Sequence, residues 1–435
     1  MDEAATEHRL TLHGSEDPSV LKQRLLDAVE DERIVEIELV DIEWKTIGDA
    51  GDHLLTDEIR QVLSRQTLEK IVLRGEQHGR LPLDLLPVMA ICLHQVRCTP
   101  FCGIQFDHKR LKELSLTSMT LNGEIFPSLV KLLSHRETVL EKLDLSDSRF
   151  MRPGFELQMA FQFNQSLKWL SLSECNLQDS ELRCILTGLR SHNSISCLDI
   201  SFNKCGLESQ AIPYLRRMLQ NTHTLTSLNV GFCAFGSGRQ VNLSTIFHCL
   251  SNPYVSPKSL KILQIGGNNL RDKNMYDVAT MLVQNGCLEQ LDLSSNRFTD
   301  EGIQLLAENL GRMKRLRVLD LEGNDLSVKG VRHLRDNICS NKTIVAIEID
   351  EALSNTQDGR CLALHLDLNW GGQRILVKKQ QHPSFPLSLL PSILARANNW
   401  DKDKESFERE PSSADVILHF VKKGPLFSHV TSAHQ

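Results

Sequence analysis

Between Leu111 and Leu321 the chain repeats one short pattern of residues eight times. Each copy runs Leu or Ile, two variable residues, Leu, one variable residue, an aliphatic, two further residues, and a ninth that is Asn or Cys in six of the eight. The copies read LKELSLTSM from Leu111, LEKLDLSDS from Leu140, LKWLSLSEC from Leu167 and ISCLDISFN from Ile195. They continue as LTSLNVGFC from Leu225, LKILQIGGN from Leu260, LEQLDLSSN from Leu288 and LRVLDLEGN from Leu316. The starts lie 29, 27, 28, 30, 35, 28 and 28 residues apart. A unit this short cannot bury an apolar face by itself, so each copy must pack on its neighbours. The result is a solenoid, and the two or three globular domains that 435 residues would otherwise imply are not required.

The aliphatics at the fourth and sixth places alternate, which is the signature of a strand with one buried face. A helix signal follows. Thr299-Asp-Glu offers a hydroxyl cap and two acids where the N–H groups and dipole of a helix start favour them. Ile303, Leu306, Ala307 and Leu310 then fall at i, i+3, i+4 and i+7, a single apolar stripe. Leu182, Ile185, Leu186 and Leu189 repeat that spacing, as do Met275, Val278, Ala279 and Leu282. Neighbouring strands need about 4.8 Å and helices about 10 Å, so stacked units are expected to curve with strands on the inside. Asn203, Asn268, Asn296 and Asn324, with Cys175 and Cys233, hold the ninth place and are expected to serve the inward turn. The pattern and its near-28-residue step resemble leucine-rich repeats of the ribonuclease-inhibitor-like subfamily, over roughly Ile34 to Ile349. The resemblance implies an α/β horseshoe, with a parallel sheet on the concave face and helices on the convex face.

Outside the regular block, Ile34, Ile37 and Leu39 mark one strand and Leu68, Ile71 and Leu73 the next, at steps of 34 and 43 residues. Ile344, Ile347 and Ile349 mark the last, giving about eleven strands. The expected organisation is an N-terminal segment with a capping helix over 1–32, repeats over 33–350 and a cap over 351–435. In that cap, CLALHLDLNWGG from Cys361 reads as a closing strand or hairpin, and FPLSLLPSILARANN from Phe385 and ADVILHFVKKGPLF from Ala414 as two helices.

Net charge is −6, a mild acidity that argues against a general nucleic-acid binder. MDEAATEHRL lacks the basic and apolar regions of a signal peptide, and no apolar stretch approaches about 20 residues. Twelve cysteines scattered over strand, turn and helix positions fit buried thiols in a reducing compartment. These features point to an intracellular, cytoplasmic protein without a membrane span. No cofactor and no metal are expected. Cys92, His94, Cys98, Cys102 and His108 lie close in sequence, but their spacing matches no zinc pattern.

A protein partner is expected at the variable places of the strand face. The fifth place holds Asp144, Asp199, Asp292, Asp320 and Glu348 and no Lys or Arg, a ridge that would steer a basic partner. Asp between two aliphatics is also common scaffold in this repeat type. Phe202 and Phe232 occupy the eighth place of adjacent copies and should stand roughly 5 Å apart. Trp169 lies at the third place one copy earlier. Aromatics on a surface that usually carries polar residues are candidate anchors. The alternative is that the long loop of the 35-residue copy, GSGRQ near Gly236 and SNPYVSP near Asn252, folds over Phe202 and Phe232.

No GxxxxGK[ST] loop, GxSxG elbow or HExxH pair is present, so a non-enzymatic scaffold is the expectation. Two further resemblances imply other roles. FPLSLLPSILARA is similar to the opening of an F-box, which would make the chain a ubiquitin-ligase adaptor, although an F-box is longer and precedes its repeats. Activators of the Ran GTPase use the same repeats, but they carry an acidic tail, whereas the tail here mixes both signs.

Overall fold

A computed structural model describes residues 9–40, 62, 67–74, 110–150, 154–203, 210–235 and 243–369, apart from 14, 15, 32, 63–66, 119, 122–124, 136, 191, 253, 255 and 256. The histidine and cysteine group between Cys92 and His108, the loop at Gly236 and the tail segments at Phe385 and Ala414 lie outside the described residues. The chain forms two compact units, Met1–Cys249 with Val255–Leu260, and Leu250–Tyr254 with Lys261–Gln435.

In the first unit the strands are β1 (Arg9–His13), β2 (Glu36–Val40), β3 (Lys70–Arg74), β4 (Glu113–Thr117), β5 (Thr120–Leu121), β6 (Lys142–Asp144), β7 (Arg149–Phe150), β8 (Trp169–Ser171), β9 (Cys197–Asp199) and β10 (Ser227–Asn229). All but β5 and β7 form one parallel sheet in chain order, and those two pair with each other. Its register aligns Leu10, Ile37, Ile71, Leu114, Leu143, Leu170, Leu198 and Leu228 in a single buried row. In the second unit β11 (Ile262–Gln264), β12 (Gln290–Asp292), β13 (Val318–Asp320) and β14 (Ala346–Glu348) align Leu263, Leu291, Leu319 and Ile347 in the same way. Helices return the chain between strands, and the three apolar stripes expected from sequence are all buried. Thr299 caps its helix by accepting from the Glu301 N–H, as expected. This is the α/β leucine-rich repeat solenoid that the period implied.

In six of the eight copies the ninth place ties the turn to the repeat before it. The Asn296 amide donates to the carbonyls of Ile265, Leu293 and Ser294 and accepts from the N–H groups of Asn268 and Leu270. Asn203 donates to Leu172 and Asn324 to Leu293 in the equivalent geometry. Where the residue is Cys, the thiol does the same, Cys175 to Leu145 at 3.0 Å and Cys233 to Ile200 at 3.1 Å. Ser148 in the Leu140 copy donates to Leu116. Burial pushes the Cys175 thiol up to about 12, so it stays protonated and keeps its donor. All eight described cysteines are free thiols.

A second set of caps ends the helices. Three residues before the first Leu or Ile of a copy, Asn164, Asn285 and Asn341 accept the N–H of that Leu or Ile at 2.8–2.9 Å. Each also donates to a carbonyl of the preceding helix or its end, those of Leu133, Leu250 and Leu310. His192 stands at this position in the Ile195 copy, where Nδ1 takes the Ile195 N–H. Its burial drives the imidazole pKa from 6.5 down to about 4.

Two expectations are corrected. The N-terminal segment carries the strand Arg9–His13 as well as its helix, α1 (Pro18–Glu30), so the sheet gains a strand at that edge. Residues 361–369, expected as a closing strand, belong to a helix, Gln357–Asn369. Asp358, Cys361, Leu362 and His365 are buried at helical spacing, and Asp358 takes ion pairs from Arg332 and Arg335 of the previous repeat's helix, Val328–Ile338. It is the helix of the last repeat. Leu364 and Leu366 are buried too, and that burial on more than one face produced the misleading alternation.

Asn296→Ala should cost about 3 kcal/mol or more in chemical denaturation, because two buried N–H groups lose their acceptor at about 1–3 kcal/mol each. His192→Asn should remove an acid sensitivity. The wild-type fold loses stability as pH falls from 6.5 to about 4, because the unfolded chain takes the proton first, by about 3 kcal/mol in all. Denaturation midpoints for the Asn variant should be flatter across that window.

Candidate functional site

The site lies where the strand ends and the chain turns inward. At the eighth place the backbone is left-handed in all eight copies: Ser118, Asp147, Glu174, Phe202, Phe232, Gly267, Ser295 and Gly323 have φ between 51° and 69°. The reason is local. The ninth side chain must point into the core directly after an outward residue, and one left-handed residue makes that reversal. Gly, Ser and Asp suit it, whereas an aromatic there is an outlier of about 1–2 kcal/mol.

Phe202 and Phe232 carry that cost and stay exposed, at 53% and 43%. Their rings stack at 4.4 Å between centroids and 7° between planes. Stacking recovers part of what exposure forfeits, about 0.5–1.5 kcal/mol. None of the described residues buries the pair, and the loop at Gly236 lies outside the described residues.

Trp169 is not part of that pair's stack. It sits at the start of its strand, in register with Lys142 and Cys197, half-buried, with the Lys142 ammonium 5.1 Å from its ring. The indole face is thus already occupied by a cation.

The acids of the fifth place divide between the two units. In the first, Asp144 and Asp199 each accept the N–H and hydroxyl of the residue two places on, Ser146 and Ser201. Asp199 also takes the Asn229 amide at 3.0 Å. In the second unit Asp292 takes the Ser294 N–H and Asp320 the Glu322 N–H. One carboxylate oxygen therefore serves the turn in four of the five, which supports the scaffold reading of these acids; Glu348 is exposed. Asp292, Asp320 and Glu348 stand side by side in register. Burial holds the Asp320 pKa above its ordinary 3.8, and the charges of Asp292, Glu322 and Glu348 add to that against the Glu322 N–H.

Two residues that sequence reading passed over share the eighth place with the phenylalanines. Asp147 is half-buried and Glu174 exposed, and neither has an ion-pair partner among the described residues. The signal for them was available: Gly267 and Gly323 at the same place mark a left-handed column whose side chains point away from the core. Among the described residues no group of histidine, cysteine and acidic side chains could hold a metal, and no helix is long and apolar enough to cross a membrane.

Comparison with known proteins agrees with the repeat assignment. A profile described as "Leucine Rich repeat" matches residues 284–307. The chain is 31% identical over 162 residues to NACHT, LRR and PYD domains-containing protein 13 of Homo sapiens, covering 37% of this chain and 15% of that protein. It is 22% identical over 211 residues to NACHT, LRR and PYD domains-containing protein 14 of Mus musculus, covering 48% of this chain and 20% of that one. The chain thus spans at most a fifth of these relatives. Among solved structures, the leucine-rich repeat-containing protein LegL7 from Legionella pneumophila is similar at 16% identity and a TM-score of 0.39, covering 82% of this chain and 96% of that one. The actin-binding site 2 of leiomodin-1 is similar at 19% identity and a TM-score of 0.32, covering 39% and 94%.

The raised Asp320 pKa gives a test of the ridge. A carboxyl with a raised folded pKa loses stability as pH rises from 3.8 through that value. Asp320→Asn keeps an oxygen for the Glu322 N–H and removes the charge. It should raise the melting temperature at pH 7, with the gain vanishing below about pH 3.8.

Proposed function

We propose that the chain is a non-enzymatic scaffold that captures a protein partner on the strand side of its repeats, anchored by Phe202 and Phe232. The carrying observation is the exposed phenyl stack on a left-handed backbone, a costly arrangement that no core contact explains. The leucine-rich repeats shared with the relatives support an interaction role in general. In the first unit the partner has basic character where it meets Asp144 and Asp199, and Trp169 with its Lys142 cover lies at the edge of that contact; in the second unit Asp292, Asp320 and Glu348 form an acidic row of their own suited to basic groups. Repeat steps near 28 residues and the Asn or Cys ladder favour the ribonuclease-inhibitor-like subfamily. Eight free thiols favour a reducing, intracellular setting.

Phe202→Ser with Phe232→Ser tests the anchor, because Ser already holds the left-handed place at Ser118 and Ser295. Cross-linked capture of partners by the intact chain should fall at least about tenfold in the double variant, as hot-spot removal implies. The melting temperature should not drop. Capture that survives at the wild-type level would rule the pair out as anchor.

A further inference from the structure

The turn ladder extends the sheet past its strands. The Asp147 N–H donates to the Ser173 carbonyl at 2.8 Å, Glu174 to Ser201 at 3.0 Å and Phe202 to Gly231 at 2.9 Å. Each eighth-place residue is therefore bonded to the seventh place of the next copy, one strand step of about 4.8 Å along. The 4.4 Å separation of the two rings fits that step. Asp147, Glu174, Phe202 and Phe232 share φ between 54° and 60°, so the same backbone aims all four side chains alike. They make one row across four adjacent repeats of the first unit, two carboxylates followed by two phenyl rings.

We infer that this row docks an extended segment of the protein partner in which Lys or Arg lies two positions from an apolar residue. The inference rests on the phenylalanine pair being the anchor and adds the chemistry of what meets it. An extended segment advances about 3.3 Å per residue, and side chains two apart share a face. Two residues therefore cover about 7 Å, the distance from Glu174 to the middle of the phenyl stack if each step is about 4.8 Å. A cation at that spacing meets Glu174 while the apolar side chain lies on the rings. A second cation two positions further along meets Asp147. Both carboxylates lack ion-pair partners among the described residues, so the charge complementarity is unspent.

The probe is a set of blocked synthetic heptapeptides, each with one Lys and one Phe in a Ser/Ala background, separated by one to five positions. Binding to the full chain is measured by fluorescence anisotropy, with circular dichroism confirming that every variant is folded. Affinity is expected to peak at a separation of two and to weaken on replacing Lys by Glu in the peptide. Glu174→Lys should weaken the best Lys peptide about fivefold, the upper range for a solvent-facing ion pair, and should strengthen the matching Glu peptide. Phe202→Ser with Phe232→Ser should abolish binding of both. If charge reversal leaves the peptide preference unchanged while the phenylalanine variant still abolishes binding, the cationic assignment is wrong and the anchor stands. If binding survives the phenylalanine variant, both are wrong. Failure of every peptide in the set to bind also overturns the inference, leaving the anchor to the capture experiment.

Discussion

The structure depends on how a buried turn satisfies its own polar groups. Each strand of the parallel sheet is only three to five residues long, and its end plunges into the interior, where an unpaired N–H or C=O costs about 1–3 kcal/mol. The inward ninth side chain meets that demand by reaching back to the preceding repeat, from Asn203 to Leu172, Asn296 to Ile265 and Cys233 to Ile200. The bond joins consecutive copies, so it fixes the step between repeats as well as closing the turn. Leucine burial supplies most of the favourable free energy. The polar ladder decides that the leucines stack in one register.

The same constraint creates the candidate site. An inward ninth residue requires a reversal at the eighth, and the reversal exposes whatever stands there. Six copies place Ser, Asp, Glu or Gly at that point, residues that suit a solvent-facing turn. Two place Phe, accept the strain and leave the rings exposed as a stacked pair. The acids of the fifth place show the opposite balance, since Asp144, Asp199, Asp292 and Asp320 each spend an oxygen on the turn beside them.

Much of this was legible in the chain before any coordinates. Leu-x-Leu alternation placed the strands, the i, i+3, i+4, i+7 stripes placed the helices, and the eighth-place phenylalanines were found as neighbours. What was missed has physical causes. Arg9–His13 shows Leu10 and Leu12 but lacks an aliphatic at the first place, so it did not score as a copy. The helix at Gln357–Asn369 is buried on more than one face, which hides its period. His192 escaped notice because its role is a cap shared with Asn164, Asn285 and Asn341, a correspondence seen only when the copies are aligned on their helix ends. Asp147 and Glu174 were not singled out among the variable places, since the left-handed φ that groups them with the phenylalanines shows in sequence only as Gly267 and Gly323 at the equivalent place.

The central claim is that the hydrogen-bonded ladder runs on through the turns and holds the eighth-place row rigid. Native-state amide hydrogen exchange measures this directly. The amides of Asp147, Glu174 and Phe202 should exchange as slowly as those of Leu172 and Ile200, which bond across strand ends to Asp199 and Asn229. Exchange of the three at the rate of unprotected amides would contradict the account.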